Sequence, residues 1–386
     1  MNILYDDNMP YARECFAQLG NAVPFSAGEL TANDFSDVEA LLVRSTTTVD
    51  PNLLANATCL RYVATATAGF NHLDTAFLAA RNIPWYAAAG CNAVAVAEYV
   101  ISTLFGYASA NKQGLKWLQQ RSVGIVGAGH VGSALSSKLD ALGISYQLCD
   151  PPLQASGDNR PFVSLDEILS CDVICLHVPL IKEGQYPTLN LLNKAHLSRL
   201  NEHQLIINAC RGGVLDECAY ADLSLQQKMP HLVLDAWKDE PHINLDMSTL
   251  CDIATPHIAG HTLEGKSRGT VMVYNWLCQQ LGRQPILTLE DLLPPLDART
   301  LTSDMLSDDG LIQSLIFSLY DSQQDDRIFR RAMAQSDDIG MTFTQLRKNY
   351  PQRREFAFQT LKVNTQVLGH PVIQTLRALG FTIQSI

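Results

Sequence analysis

Residues Ser122–Val126 form an apolar run, and Gly127-Ala128-Gly129-His130-Val131-Gly132 follows it directly. Helical spacing continues from there to about residue 142. A strand that breaks on three glycines into a helix is compatible with few architectures. It reads as the first turn of a parallel βαβ unit. There the first glycine permits the tight turn, the second lets a pyrophosphate approach the backbone, and the third lets the helix pack on its strand. The helix N-terminus adds N–H groups and the positive end of its dipole. The next strand, Ser145–Cys149, closes on Asp150, 18 residues after Gly132. A carboxylate there binds the two hydroxyls of an adenosine ribose and repels a 2′-phosphate. The pattern predicts NAD rather than NADP, held by Gly127, Gly129, His130, Val131, Gly132 and Asp150.

The alternation extends both ways along the chain. Strands are expected near 2–5, 40–43, 60–64 and 83–87, and again at 172–177, 204–208, 231–235 and 252–255. Helices are expected at 10–19, 93–113, 165–170, 190–200, 216–227 and 262–282. This is two successive parallel α/β series, with the chain returning to the first after about residue 257. Residues 283–298 contain Pro285, Pro294 and Pro295 and read as a connector. Beyond it, helices at 308–320, 323–335, 342–349 and 371–379 and strands at 355–363 and 381–385 predict a separate module without a chemical motif.

The formal charge of −11 counts against a nucleic-acid partner and against docking to an acidic membrane. No stretch of 18 apolar residues is present, so no span of a membrane is expected. The ten cysteines contain no CxxC pair and mostly sit in apolar runs, as expected of reduced, buried thiols in a cytoplasmic protein. The N-terminus has neither the basic flank nor the apolar core of a signal peptide. The sequence contains no HExxH motif, and no metal site is expected.

Three residues stand just past successive strands of the second series. Arg211 follows Asn208-Ala209-Cys210, Glu240 lies in Asp235-Ala236-Trp237-Lys238-Asp239-Glu240-Pro241, and His257 follows Thr255-Pro256. The gaps are 29 and 17 residues, yet parallel topology brings all three to the rim that carries the glycine loop. Alone, each is unremarkable, since a histidine beside a proline is ordinarily structural. Together they match what oxidation of a 2-hydroxy acid requires. An imidazole accepts the hydroxyl proton, a carboxylate fixes its tautomer, and a guanidinium grips the substrate carboxylate.

Through the glycine loop and the segments Asn208–Gly213, Asp235–Pro241 and Pro256–Gly260, residues 1–287 resemble the D-isomer-specific 2-hydroxyacid dehydrogenase family. The resemblance implies an α/β fold of two Rossmann-like, doubly wound parallel-sheet domains with a cleft between them, plus a small α+β C-terminal domain. Residues 1–95 and 258–287 would bind substrate, 96–257 would bind NAD, and 288–386 would dimerise. Arg211, Glu240 and His257 would be the substrate-binding and acid/base residues. The segments 6–13, 43–47, 65–74, 90–93 and 260–266, together with the tail, are similar to a branch of that family that acts on a small phosphorylated hydroxy acid as a homodimer. That branch implies substrate contacts at Ser45 and Thr67 and NAD contacts at Asp150, Val178, Ala209, Cys210, Arg211, Asp235 and Gly260. Two positions depart from it. His261 stands where tyrosine is common, and Val178 stands where threonine is frequent, leaving only its backbone to serve. Arg44, Ser45, Thr67 and His261 are candidate phosphate partners. Arg44-Ser45 also reads as a helix N-cap with a solvated charge, and Thr67 as an ordinary loop hydroxyl. Two rivals stay open: another phosphorylated substrate such as 3-phosphoglycerate, or an NAD-sensing protein without turnover, which would have no use for a proton acceptor.

Overall fold

The computed structural model describes residues 1–301, 308–364 and 368–386; residues 302–307 and 365–367 of the expected C-terminal module lie outside them. The chain divides into two compact units, one of residues 1–92 and 262–295, the other of residues 93–261 and 296–386.

The first unit is built on strands β1 (Asn2–Asp6), β2 (Asn21–Phe25), β3 (Ala40–Val43), β4 (Tyr62–Thr65) and β5 (Trp85–Ala87). They form a parallel sheet in the order β2-β1-β3-β4-β5. Strands β3 and β4 are buried along their whole length, which explains why they read as continuous apolar runs rather than as alternation. One face packs on the helices Ala12–Phe16 and Leu263–Gln280 through Phe16, Tyr274 and Leu277. The other covers Phe35, Leu54 and Leu78. Strand β2 was not expected from the sequence. It is a largely exposed edge strand containing Pro24, so neither an apolar run nor a period of two marks it.

The second unit holds β6 (Ser122–Val126), β7 (Ser145–Cys149), β8 (Val173–Leu176), β9 (Leu205–Asn208), β10 (His231–Leu234) and β11 (Ile253–Ala254). All pair in parallel in the order β11-β10-β9-β8-β6-β7. Strand β6 lies between β7 and β8, so the strand order reverses there, and ligands of such sheets gather beyond the carboxyl ends at that point. The helix Ala93–Ala110 is long and apolar enough to cross a membrane, but 78% of it is buried within the protein.

Residues 296–386 belong to this second unit. Strands β12 (Arg299–Leu301), β13 (Thr360–Val363) and β14 (Thr382–Ser385) make a three-stranded parallel sheet. Leu311, Leu315 and Ile316 of the helix Asp308–Leu319 share one core with Val100 and Leu104 of Ala93–Ala110. A buried polar cluster lies in the same region. Glu98 is fully buried and accepts from Phe356 N at 3.1 Å, with Lys138 Nζ also 3.1 Å away. Arg353 lies 3.9 Å over the Tyr320 ring and donates to Ala95 O. The C-terminal segment therefore has the second unit's core as its own.

Candidate active site

The glycine loop sits at the switch point. Gly127 has φ +94°, and a Cβ on it would lie 2.5 Å from His177 O at the end of β8. Gly132 would collide with Gly127 O at 2.2 Å, which is the close seating of helix His130–Leu142 on β6. Gly129 differs: it is exposed, and a Cβ there would meet nothing within 4 Å. Three glycines thus have three separate physical reasons, and the middle one leaves open room for a ligand's phosphates against the backbone. Both ring nitrogens of His177 are buried beside this loop with no hydrogen-bond partner among the described residues. Burial pushes that imidazole down to about 4, so it stays neutral. Asp150 caps the helix Pro151–Ala155 through Leu153 N (3.0 Å) and accepts from Ala128 N (2.8 Å), which fixes its carboxylate between β7 and the glycine loop. Open space at Gly129, a helix N-terminus and a fixed strand-end carboxylate fit a dinucleotide. His130 is exposed at the head of the helix, with Val131 half-buried behind it.

Strands β9, β10 and β11 deliver the chemical groups. Asn208 ends β9, and its side chain shapes the next turn: Oδ1 accepts from Cys210 N (3.2 Å) and Nδ2 donates to Arg211 O (3.0 Å). Ala209 and Cys210 are buried, while Arg211 is half-buried and folds its Nη1 back to Cys210 O at 2.7 Å. The turn then runs directly against the loop after β10. A Cβ on Gly212 would lie 1.8 Å from Trp237 O. That seating brings the Arg211 turn against the loop carrying Glu240.

Glu240 and His257 are in direct contact. Glu240 Oε1 accepts from Trp237 N at 2.8 Å, and Oε2 faces His257 Nδ1 at 2.7 Å. Burial pushes the Glu240 carboxyl up. The electrostatic pull of His257, its hydrogen bond, the Trp237 N–H and the Arg347 guanidinium outweigh that and hold it below the usual carboxylate range. The Nδ1 contact leaves His257 Nε2 pointing away from Glu240, and Nε2 has no hydrogen bond among the described residues. His257 has φ 55° and Asp239 φ 61°, conformations unfavourable for side chains with a Cβ. The turn is held there by Asp235, whose buried carboxylate accepts from Ile258 N (2.7 Å), Ala259 N (2.9 Å) and Thr255 Oγ1 (2.7 Å). Burial raises the Asp235 carboxyl, against the pull of His257 and these donors. Tyr99 OH completes the chain at Thr255 Oγ1, 2.8 Å away. Trp237 pins the two loops together by donating Nε1 to Thr255 O at 2.8 Å.

Glu240 and His257 therefore meet within the second unit, and the turn after Arg211 packs against the loop that carries Glu240. Val178 stands at the neighbouring strand end, where its Cγ1 would lie 2.9 Å from a Cβ on Gly127. Gly260 and His261 continue the turn after His257, with His261 N donating to Ile258 O at 2.8 Å. In the first unit, Arg44, Ser45 and Thr67 lie past the carboxyl ends of β3 and β4. No helix begins at Arg44-Ser45. Thr47 N closes a turn on Arg44 O at 3.2 Å, so the N-cap reading does not apply. Thr67 Oγ1 donates to Gly69 O (2.8 Å) and contacts Thr65 Oγ1 (2.7 Å), which His72 Nε2 also reaches (2.9 Å). Sequence reasoning missed Asn208, Gly212, Trp237, Thr255 and Tyr99. Only Asn208, an Asx-turn former at a strand end, left a local signal.

Residues 94–259 match the family model of the NAD-binding domain of D-isomer-specific 2-hydroxyacid dehydrogenases. Residues 292–380 match a second model described only as a domain of unknown function. The chain is 45% identical over 383 residues to the erythronate-4-phosphate dehydrogenase of Pseudoalteromonas atlantica, covering 99% of both chains. It is 40% identical over 390 residues to that of Aeromonas salmonicida, covering 100% of each. Among solved structures, 3-phosphoglycerate dehydrogenase of Entamoeba histolytica with NAD+ has a TM-score of 0.62 at 21% identity, covering 73% of this chain and 95% of that one. D-lactate dehydrogenase of Aquifex aeolicus with NAD and lactic acid has a TM-score of 0.59 at 22% identity, covering 73% and 96%.

Proposed function

We propose the function of this chain from one premise: it belongs to the erythronate-4-phosphate dehydrogenase family, within the D-isomer-specific 2-hydroxyacid dehydrogenases. The reaction is oxidation of 4-phospho-D-erythronate to 2-oxo-3-hydroxy-4-phosphobutanoate, a step towards pyridoxine 5′-phosphate. The cofactor is NAD, which supplies a hydride acceptor when bound. The single observation that carries the chemistry is the 2.7 Å contact between His257 Nδ1 and Glu240. It commits Nδ1 to the carboxylate and leaves Nε2 to take the proton from the substrate hydroxyl as C2 loses hydride. Glu240 acts through His257: it holds the tautomer and stabilises the imidazolium that forms. Arg211 takes the substrate carboxylate and polarises the C2 oxygen. The carbonyl product is released with the proton still on His257, and solvent then removes it.

For NAD we assign Gly127, Gly129, His130, Val131, Gly132 and Asp150 to the phosphates and ribose, and the backbone of Val178, Ala209, Cys210 and Gly260 to the nicotinamide side. Asp235 serves that side by holding the 255–259 turn. Ser45, Thr67, Arg44 and His261 are assigned to the phosphorylated substrate. The working form is a homodimer in the cytoplasm, for which sedimentation of the full chain is the check: a mass near 42.5 kDa would refute dimerisation.

A substrate panel tests the activity. NAD reduction is measured with 4-phosphoerythronate, 3-phosphoglycerate and unphosphorylated erythronate, for wild type and His257→Ala. Turnover of 4-phosphoerythronate that His257→Ala abolishes is the expected result. Preference for 3-phosphoglycerate would reassign the substrate, and absence of turnover in both proteins with NAD affinity intact would make the chain an NAD sensor.

A further inference from the structure

The loops carrying Glu240 and His257 rest on helices of the C-terminal segment. In Ser322–Ala334, Phe329 stacks on Trp237 with centroids 5.7 Å apart, and Asp326 accepts from Ala254 N at 2.8 Å. The next helix, Ile339–Lys348, starts against the same loop, because a Cβ on Gly340 would lie 2.4 Å from the His242 ring. Its inward face carries Phe343, fully buried, then Arg347 one turn on, and Tyr350 just past the helix end. The Tyr350 ring meets the His261 ring edge-on at 5.8 Å, and its hydroxyl donates to Asp325 at 2.6 Å.

Arg347 is out of place on such a face unless something completes it. The residue is half-buried, and its Nε is buried with no hydrogen-bond partner among the described residues. Its side chain forms no hydrogen bond or ion pair among the described residues, although its charge is felt at the Glu240 carboxylate. A guanidinium partly removed from water without an acceptor is costly, and an anion in the site would supply one. The substrate proposed above has an anion at each end, whereas the Arg211 guanidinium serves one of them.

We propose that Arg347 is a further substrate-binding residue, and that its guanidinium takes the phosphate group while Arg211 takes the carboxylate. The C-terminal segment thereby contributes directly to substrate choice. This assignment rests on the function proposed above.

The test uses the full chain with NAD and the variants Arg347→Gln and Arg347→Lys. Steady-state kinetics with 4-phosphoerythronate and with erythronate are compared, together with NAD affinity and calorimetric binding of inorganic phosphate to the NAD-loaded protein. Losing a charge-assisted pair should cut the preference for the phosphorylated substrate about 10- to 100-fold in Arg347→Gln, through KM, with partial recovery in Arg347→Lys. NAD affinity should stay within a few fold of wild type, which shows that the variant is folded. Equal losses on both substrates, or a displaced pH profile at constant KM, would place Arg347 behind Glu240 and overturn the assignment. Unchanged kinetics would overturn it too. Should wild type fail to turn over 4-phosphoerythronate, the function reading falls, and phosphate binding still decides the arginine. Weaker binding in Arg347→Gln supports the assignment, and equal binding refutes it.

Discussion

Replacing Gly212 by alanine asks whether the seating of two loops makes this site. A Cβ there would lie 1.8 Å from Trp237 O, 2.1 Å from Trp237 C and 2.5 Å from Lys238 N. All three are backbone atoms, so no change of rotamer relieves the clash. Real Cβ contacts stop near 3.0 Å, so the loops must part by about 1.2 Å. Trp237 resists that movement. Its N–H holds Glu240, its indole N–H holds Thr255, and its ring stacks on Phe329. Either Arg211 is pushed away or Glu240 is dragged with the loop. Overpacking of this kind costs about 1–3 kcal/mol, and misplacing aligned groups by ~1 Å costs about 100-fold in rate. Gly213 is the internal control. It has φ +79°, and a Cβ there would come no closer than 3.5 Å to Leu189 Cδ1, so alanine meets strain without a collision. That strain is about 1 kcal/mol. The assay is oxidation of 4-phosphoerythronate followed by NADH absorbance, with NAD affinity and thermal melting in parallel. Gly212→Ala should lose about 100-fold in kcat/KM, while Gly213→Ala loses far less. Wild-type activity and melting in Gly212→Ala would refute the reasoning.

Three further outcomes follow from the same geometry. Glu240→Gln keeps the acceptor for Trp237 N but can present an amide N–H to His257 Nδ1; kcat should fall about 100-fold or more with KM much less changed, as read from steady-state kinetics. Asp150→Ser should relax the preference for NAD, measured as the ratio of kcat/KM for the two cofactors; a variant that still rejects NADP would mean that another residue sets the choice. Glu217 is buried and accepts from Lys238 N at 2.7 Å, and burial pushes its carboxyl up to about 7, with Glu240 and Asp239 adding to the Lys238-opposed rise. The folded state then holds a proton that the unfolded chain releases, so this group's contribution is unimpaired below about 4.5 and is lost as pH rises to about 7. Glu217→Gln keeps the acceptor without titrating. Relative to wild type it should therefore gain up to about 3 kcal/mol between pH ~5 and ~8 in denaturant titrations, and a constant difference would sink the argument.

Much of the second unit was legible because its signals are local. Strands β6, β8 and β9 are buried on both faces, so each reads as an apolar run, and the glycine loop states its own geometry in three residues. The sites of Arg211, Glu240 and His257 were legible for a topological reason: each follows a strand of one parallel sheet, and parallel strands end on the same rim. What joins those groups was not legible. Gly212 against Trp237, and Asp235 with Thr255 and Tyr99, are contacts between segments far apart in the chain, and no spacing rule encodes them. Strand β2 was lost for the opposite reason. It is an exposed edge strand with a proline, so burial never imprinted a pattern on it.

The C-terminal segment is the instructive case. It reads as a separate module without chemistry because its residues are ordinary one by one. Helices Asp308–Leu319 and Ser322–Ala334 are amphipathic, and a sequence pattern reveals an apolar face but not what covers it. Here the cover is the nucleotide-binding unit's own core, through Leu311 and Ile316, and the underside of the Glu240 loop, through Phe329. One signal was nonetheless available. Phe343, Arg347 and Tyr350 stand at helical spacing on one face, so an arginine sits in line with a core phenylalanine. Burying a guanidinium there is unfavourable unless an acceptor is provided. None of the described residues provides it, and an anionic substrate held by the neighbouring loops is a group of the right charge to do so.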